Sequence, residues 1–129
     1  MIRVLVVDDH PVLRAGLEAV LRAEPGFVPV GAAADGHAAL RLVRRTRPDV
    51  VVLDRRLGDE DGIALCRVLR AEPAAPEIVL YTAAATELGL RDQAGEAGAA
   101  GVVDKSDDLT ALFDAVRLAA RRIAPRARG

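Results

Sequence analysis

The segment Val4-Leu5-Val6-Val7-Asp8-Asp9-His10-Pro11 carries four apolar residues straight into two carboxylates and a proline. An unbroken apolar run of that length suits a strand covered on both faces, the usual condition of a parallel sheet. Pro11 suits the first turn of a helix, where its missing N–H is one of those a helix start leaves unpaired. A helix pattern does follow, with Leu13, Leu17, Val20 and Leu21 at helical spacing. One strand-helix unit is therefore written into residues 4–21, and its acidic pair falls at the carboxyl end of the strand.

Further along, the same unit recurs. Apolar runs appear at Phe27–Ala33, Val50–Leu53, Ile78–Tyr81 and Gly101–Val103. Helical patterns follow or separate them: Ala39, Leu40, Val43; Ile63, Leu65, Cys66, Leu69; and Leu109, Leu112, Phe113, Val116, Ala120. Asp35 and either Ser106 or Asp107 suit helix N-caps, and Pro48, Pro73 and Pro76 fall in connections before strands. A fourth helix is expected between Thr86 and Gly98. It carries Gly89 and Gly95, each costing about 1 kcal/mol relative to Ala, and is expected to be the least rigid element. Alternating units of this kind predict an α/β fold: a doubly wound, five-stranded parallel sheet with right-handed crossovers, in the order 2-1-3-4-5. Sites in such sheets lie beyond the carboxyl ends of the strands, near the switch point.

Composition narrows the function classes. The 129 residues suit one domain with a proper core. Hydrophobic residues make up 51% but aromatics only 2%, so the core is Val, Leu, Ile and Ala, and stacking on bases is excluded. A net charge of −1 argues against a free-standing nucleic-acid binder. Cys66 is the only cysteine, which rules out an internal disulfide, and its helical setting predicts burial. No run approaches the roughly 18 apolar residues of a membrane span, and Asp8-Asp9 come too early for a signal peptide. A cytoplasmic location without membrane contact is expected.

The strand ends carry the chemistry. Strand one ends in Asp8-Asp9, strand three in Asp54, strand four in Thr82, and strand five in Asp104-Lys105. In the order 2-1-3-4-5 these strands are contiguous, so three carboxylates, a hydroxyl and an ammonium converge on one crevice. Lys105 is the only lysine in a chain with 18 basic residues. A compact ammonium on a flexible stem is thus kept where a planar guanidinium is not used. Crowded carboxylates repel unless something positive fills the space, and oxygen ligands of this type suit Mg²⁺. A cation there stabilises charge on a transferring phosphoryl group, with Asp54, deepest and flanked by the others, as nucleophile.

On these residues the chain resembles the receiver domains of two-component response regulators, over nearly its whole length. The matching residues are Asp8-Asp9, Asp54 after Val50-Val51-Val52-Leu53, Asp61-Gly62, Thr82-Ala83 and Lys105. The stretch from Val4 to Pro11, with Ala97-Gly98-Ala99, is most similar to the NarL/LuxR-type subfamily. The resemblance implies a flavodoxin-like receiver fold over 1–123, with 124–129 a tail or the start of a linker to an output domain absent from this sequence. It implies that Asp54 accepts phosphate from a sensor histidine kinase, that Asp9, Asp54 and the backbone carbonyl of Arg56 ligate Mg²⁺, and that Asp8 acts through water. Thr82, Ala83 and Lys105 would read the phosphoryl group, while Arg56 and Ala84 occupy positions that tune its lifetime. The chain would be no enzyme beyond Mg²⁺-dependent self-phosphorylation from a donor and slow autodephosphorylation. It leaves room for a homodimer and allows DNA contact, for transcription regulation, only through an output domain outside this chain.

Two departures stand out. Val102 occupies the position, three residues before the lysine, where the family usually has Tyr or Phe. Gly58 stands where the family often has Pro, so Leu57-Gly58-Asp59-Glu60-Asp61-Gly62 is expected to be a flexible, acidic, solvated loop that positions the metal loosely. An alternative function follows from Val102: a receiver-fold interaction module that does not switch by phosphorylation.

Plainer roles are expected for the remaining polar residues. His10 packs or hydrogen-bonds at the helix start, Asp104 is a solvated neighbour, and Tyr81 points away from Thr82 toward core or interface. Arg117, Arg121, Arg122, Arg126 and Arg128 suit a solvated helix end, with Pro125 as its stop. A haloacid-dehalogenase type phosphatase would need Asp at position 56, where Arg56 stands. An FMN binder would need a Ser/Thr/Gly-rich loop in place of Asp8-Asp9-His10-Pro11, and the residues before Lys105 lack the glycines of a P-loop.

Overall fold

A computed structural model describes residues 1–123; the tail 124–129, with Pro125, Arg126 and Arg128, lies outside the described residues. In chain order the elements are β1 (Ile2–Val7), α1 (Pro11–Ala23), β2 (Phe27–Ala33), α2 (Gly36–Thr46), β3 (Val50–Leu53), β4 (Arg56–Leu57), β5 (Glu60–Asp61), α3 (Gly62–Arg70), β6 (Glu77–Thr82), α4 (Leu90–Glu96), β7 (Gly101–Asp104) and α5 (Leu109–Ala120). The main sheet runs β2-β1-β3-β6-β7 with every pair parallel, which is the expected 2-1-3-4-5 order of the five long strands.

Alternation along each strand divides the core. Leu5, Val7, Val51, Leu53, Ile78 and Leu80 face one layer, where α2, α3 and α4 bring Ala39, Val43, Ile63, Cys66, Leu69 and Leu90. Val4, Val6, Val50, Val52, Val79 and Tyr81 face the other, against Leu17 and Leu21 of α1 and Leu112, Phe113 and Val116 of α5. Burying each Val or Leu contributes about 1.5–3 kcal/mol, so the central strands form a rigid platform. Tyr81 therefore sits in the core, opposite in sense to Thr82, as expected from the strand period. Cys66 is fully buried, and burial pushes its thiol up to about 11.

Several local expectations are corrected. The fourth helix is shorter than the interval Thr86–Gly98: residues 83–89 are turns, and α4 begins only after Gly89, whose φ of +79° breaks the helical path. The N-cap of α5 is Asp108, accepting from the Thr110 N–H at 2.7 Å, and neither Ser106 nor Asp107. Ser106 is taken by Asp104, whose Oδ1 accepts from both its N–H and its hydroxyl at 2.8 Å and is held below the usual carboxylate range by them. Arg117 is more than a solvated helix end, since it pairs with Glu24 at 3.1 Å and lies over the Phe27 ring at 4.9 Å.

The expected flexible loop after Asp54 is a two-stranded antiparallel hairpin, with Arg56 opposite Asp61 and Leu57 opposite Glu60. Gly58 takes the first central position at φ +62° while Asp59 keeps negative φ, the pattern of a type II′ turn. Leu57 is buried beneath it. Of the acidic residues expected to be merely solvated, Asp61 caps α3, accepting from the Ile63 N–H at 3.0 Å. Glu60 reaches across to α2, where its carboxylate accepts from the Gly36 N–H at 3.0 and 3.3 Å.

Candidate functional site

The backbone ladder carries a polar residue at the end of each of three strands into place. The Asp8 N–H donates to the Ala33 carbonyl, Asp54 N–H to Val7 and Lys105 N–H to Thr82, each at 3.0 Å. Asp8 and Asp54 thus leave neighbouring strands at the switch point, with side chains only 3% and 7% exposed. Lys105 arrives from the sheet edge, and its Nζ donates to Oδ2 of Asp8 and Oδ2 of Asp54, both at 2.9 Å. Burial alone would lower its pKa, but hydrogen bonds and Coulombic attraction from the two carboxylates outweigh that and raise it above the ordinary lysine value.

Asp8 has little capacity left. Its Oδ1 accepts from the His10 N–H at 2.9 Å and lies 3.1 Å from His10 Nδ1, while Arg14 donates to its backbone carbonyl at 2.9 Å. Asp9 is different. Its Oδ2 accepts from the Gly58 N–H at 2.9 Å. Its Oδ1 is shielded from solvent and accepts no hydrogen bond, with only the His10 ring nitrogen 3.2 Å away. Ligand atoms of Asp8, Asp9, His10 and Asp54 all lie within 4.8 Å of one another. An orphaned carboxylate oxygen among closely spaced acidic groups is the donor set of a hard cation, and the residues present fit one.

The other expected residues sit around this cluster. Arg56 turns its side chain to solvent, and its N–H donates to Oδ1 of Asp54 at 3.3 Å. Thr82 is buried at the end of β6, and its hydroxyl oxygen accepts from the Ala84 N–H at 3.1 Å, which leaves the O–H proton free to donate elsewhere. Ala83 is exposed beside it. Val102 is half-buried against the first core layer, and its carbonyl accepts from Arg91 at 3.2 Å. A hollow of about 170 Å³ opens beside it, lined by Arg91, Ala94, Gly95 and Ala99 to Val102.

His10 hydrogen-bonds at the helix start as expected, and its ring also lies 3.1 Å from Asp8 and 3.2 Å from Asp9 although 68% of its side chain is exposed. Sequence reasoning missed the parts played by Gly62, Glu60 and the Gly58 N–H. Gly62 was read only as part of a motif: a Cβ there would overlap the Asp54 carbonyl oxygen and come 2.8 Å from Arg55 Cα, so only glycine lets α3 start against the chain that follows Asp54. Glu60 and the Gly58 N–H gave no signal, because an exposed glutamate and a backbone amide look alike everywhere in a sequence.

The family of response regulator receiver domains matches residues 4–117 of this chain. The chain belongs to that family. It is 37% identical over 129 residues to the protein-glutamate methylesterase/protein-glutamine glutaminase 5 of Anaeromyxobacter dehalogenans, covering 93% of this chain and 36% of that protein. It is 34% identical over 121 residues to the transcriptional regulatory protein LiaR of Bacillus subtilis, covering 94% of this chain and 57% of that one. Among solved structures, the signal receiver domain of the response regulator NarL from Mycobacterium tuberculosis superposes with a TM-score of 0.85 at 35% identity, over 93% of this chain and 96% of that one. Relatives of this receiver domain thus include NarL/LuxR-type regulators as well as methylesterases. The chain spans only about a third to three-fifths of the length of these curated relatives. None of its described helices is long and apolar enough to cross a membrane.

Proposed function

We propose that this receiver domain is a phosphorylation-dependent switch in which Asp54 accepts a phosphoryl group from a sensor histidine kinase with Mg²⁺ present. One observation carries the reading: Lys105 Nζ bridges Asp8 and Asp54 at 2.9 Å each, so a mobile cation already sits on the carboxylate that would react. An oxygen of Asp54 attacks phosphorus, the bond from phosphorus to the donor imidazole nitrogen breaks, and that nitrogen keeps the electron pair and takes a proton. Asp9, Asp54 and the Arg56 carbonyl, with Asp8 through water, would hold Mg²⁺, which when bound would supply charge neutralisation for the transferring group. Lys105 then pairs with a phosphoryl oxygen, and the free O–H of Thr82 donates to another. Ala83, next to Thr82, moves with that strand end.

The switch belongs in the cytoplasm, with effects on transcription or other outputs exerted through a further domain beyond this receiver unit (1–123). A homodimer is one arrangement the added charge can favour. Coupling of about 1–3 kcal/mol is typical of such switches. The test is intact mass after incubation with Mg²⁺ and acetyl phosphate. A single phosphoryl adduct, lost in Asp54→Asn, is expected; no adduct, or one that survives Asp54→Asn, overturns the assignment. Val102 favours a second reading, an interaction module that does not switch. An adduct that leaves oligomeric state and amide exchange over 86–103 unchanged would select it.

A further inference from the structure

We infer that the β4–β5 hairpin is a strap that positions Asp9 as a cation ligand, with Glu60 as its anchor and the Gly58 N–H as its working end. The inference rests on the reading of the acidic cluster as a divalent-cation site and adds residues outside that cluster to it. Three contacts define the strap. Glu60 fixes the far strand of the hairpin to the first N–H of α2 at 3.0 and 3.3 Å. Leu57, buried under the turn, holds the near strand down. Between them, the type II′ turn turns the Gly58 N–H onto Oδ2 of Asp9 at 2.9 Å.

The consequence is a division of labour on one carboxylate. Asp9 is 32% exposed and follows the end of β1, so its rotamer is not set by core packing. With Oδ2 held by Gly58, Oδ1 is left facing the cluster, buried and without a hydrogen bond. A ligand oriented in this way loses less freedom on binding the ion, which is how outer partners of metal ligands raise affinity. A proline at position 58 has no N–H to give and would abolish the contact, while the φ of +62° at this turn favours glycine. Glu60 is well placed for its part, because a carboxylate at a helix N-terminus accepts an otherwise unpaired N–H and is favoured by the helix dipole. Glu60 and Gly58 are positioning residues, since neither side chain enters the cluster.

The strap can be cut from either side. Glu60→Ala removes the acceptor, while Glu60→Gln removes only the charge and keeps an oxygen for the Gly36 N–H. Gly36→Ala leaves every charge in place but puts a Cβ 2.8 Å from Glu60 Oε1, pushing aside the end of a flexible side chain. Each folded variant is titrated with MgCl₂ while its amide NMR spectrum is recorded. In the parent chain, Gly58 and Gly36 signals are expected to shift together with those of Asp8, Asp9 and Asp54. Glu60→Ala and Gly36→Ala are expected to weaken Mg²⁺ binding about tenfold and to silence the response of the amide at position 36, while Glu60→Gln stays within about twofold of the parent. Parent-like affinity in both Glu60→Ala and Gly36→Ala overturns the strap. So does an equal loss in Glu60→Gln and Glu60→Ala with Gly36→Ala unaffected, which would make the effect Coulombic. If the parent chain shows no Mg²⁺ shift at Asp8, Asp9 or Asp54, the cation reading itself fails and takes the strap with it.

Discussion

Replacing Lys105 by Met tests the electrostatic logic of the site without touching a carboxylate. The side chain is 17% exposed and bridges two carboxylates that are nearly buried. At 2.9 Å a unit pair gains about 6 kcal/mol at an effective dielectric of about 20, so the two contacts are large in gross terms. Desolvating each ion costs several kcal/mol, which removes most of that gain. The substitution nevertheless leaves Asp8 and Asp54 buried, mutually repelling and without a counter-ion. Removing one partner of a buried pair typically costs about 3–5 kcal/mol, and partial solvent access to Lys105 points to the low end, about 3 kcal/mol.

Urea unfolding at pH 7 in EDTA, followed by far-UV circular dichroism, should show that loss as a lower midpoint at unchanged slope. Two further conditions make the cause specific. Added Mg²⁺ should narrow the gap between Lys105→Met and the parent by at least about 1 kcal/mol, because the variant's uncompensated carboxylates bind the ion more tightly. Asp8→Asn introduced into Lys105→Met should recover stability, since it removes one of the repelling charges. A gap below about 1 kcal/mol, or one that neither Mg²⁺ nor Asp8→Asn changes, would refute the reasoning and reduce Lys105 to an ordinary packed side chain.

Other perturbations have definite outcomes. Gly62→Ala forces its Cβ into the Asp54 carbonyl and Arg55 backbone, which cannot give way as a side chain can. A loss above about 3 kcal/mol in urea melts, with shifted Asp54 amide signals, is expected, and a neutral result would show that α3 moves freely. Val102→Phe should be tolerated within about 1 kcal/mol because the hollow beside it has room for a ring; a loss above about 2 kcal/mol by the same melts would show that it does not. Stability should fall as pH rises above 9. The Lys105 pKa is raised in the folded state, so its contribution is complete below the ordinary lysine value and lost as pH passes through the folded one. The Cys66 thiol is pushed from 9.0 to about 11, so the unfolded chain ionises first, which costs about 2–3 kcal/mol by pH 11. Urea midpoints at pH 8 and 10.5 for the parent and Cys66→Ala separate the two, and an alkaline loss unchanged in Cys66→Ala would exclude the thiol.

The fold was legible because strand and helix periods were unmixed. Val50–Leu53, four apolar residues in a row with three β-branched valines and Pro48 just before them, suits a doubly covered strand, and the apolar runs of β1 and β6 are read in the same way. The convergence of Asp8, Asp54 and Lys105 was legible for a related reason: each is the first or second polar residue after such a run, so the topology alone delivers them to one edge. Local competition between caps and turns was not legible. Ser106 and Asp107 looked as suitable as Asp108 for the start of α5, until Asp104 consumed Ser106 in a turn of its own. The hairpin after Asp54 was hidden in the same way. Its strands are two residues each, too short to show a period, and its turn depends on the φ of Gly58.

The charge inventory of the site links these pieces. Three carboxylates face one ammonium, so the cluster carries about two uncompensated negative charges. That deficit matches one divalent cation, and among the described residues no arginine pairs with these carboxylates: Arg14 is spent on a backbone carbonyl, and Arg55 reaches outward to Glu87 at 3.4 Å and toward Asp61. An aspartyl phosphate at Asp54, if it resembles other phosphorylated side chains, brings a charge of about −1.5 to −2 in place of −1. A site balanced with a cation would then fall short again by up to about one positive charge. The groups able to meet it are those with donors to spare, namely the Lys105 ammonium, the free Thr82 hydroxyl proton and the Arg56 N–H now making a long 3.3 Å bond. Two of the three are attached to the strand ends of β6 and β7, which lead directly into the turns before α4 and α5. Phosphorylation would therefore pull on the α4–β7–α5 side of the domain even without an aromatic ring at position 102. The non-switching alternative requires instead that Thr82 and Lys105 stay where they are when Asp54 is modified.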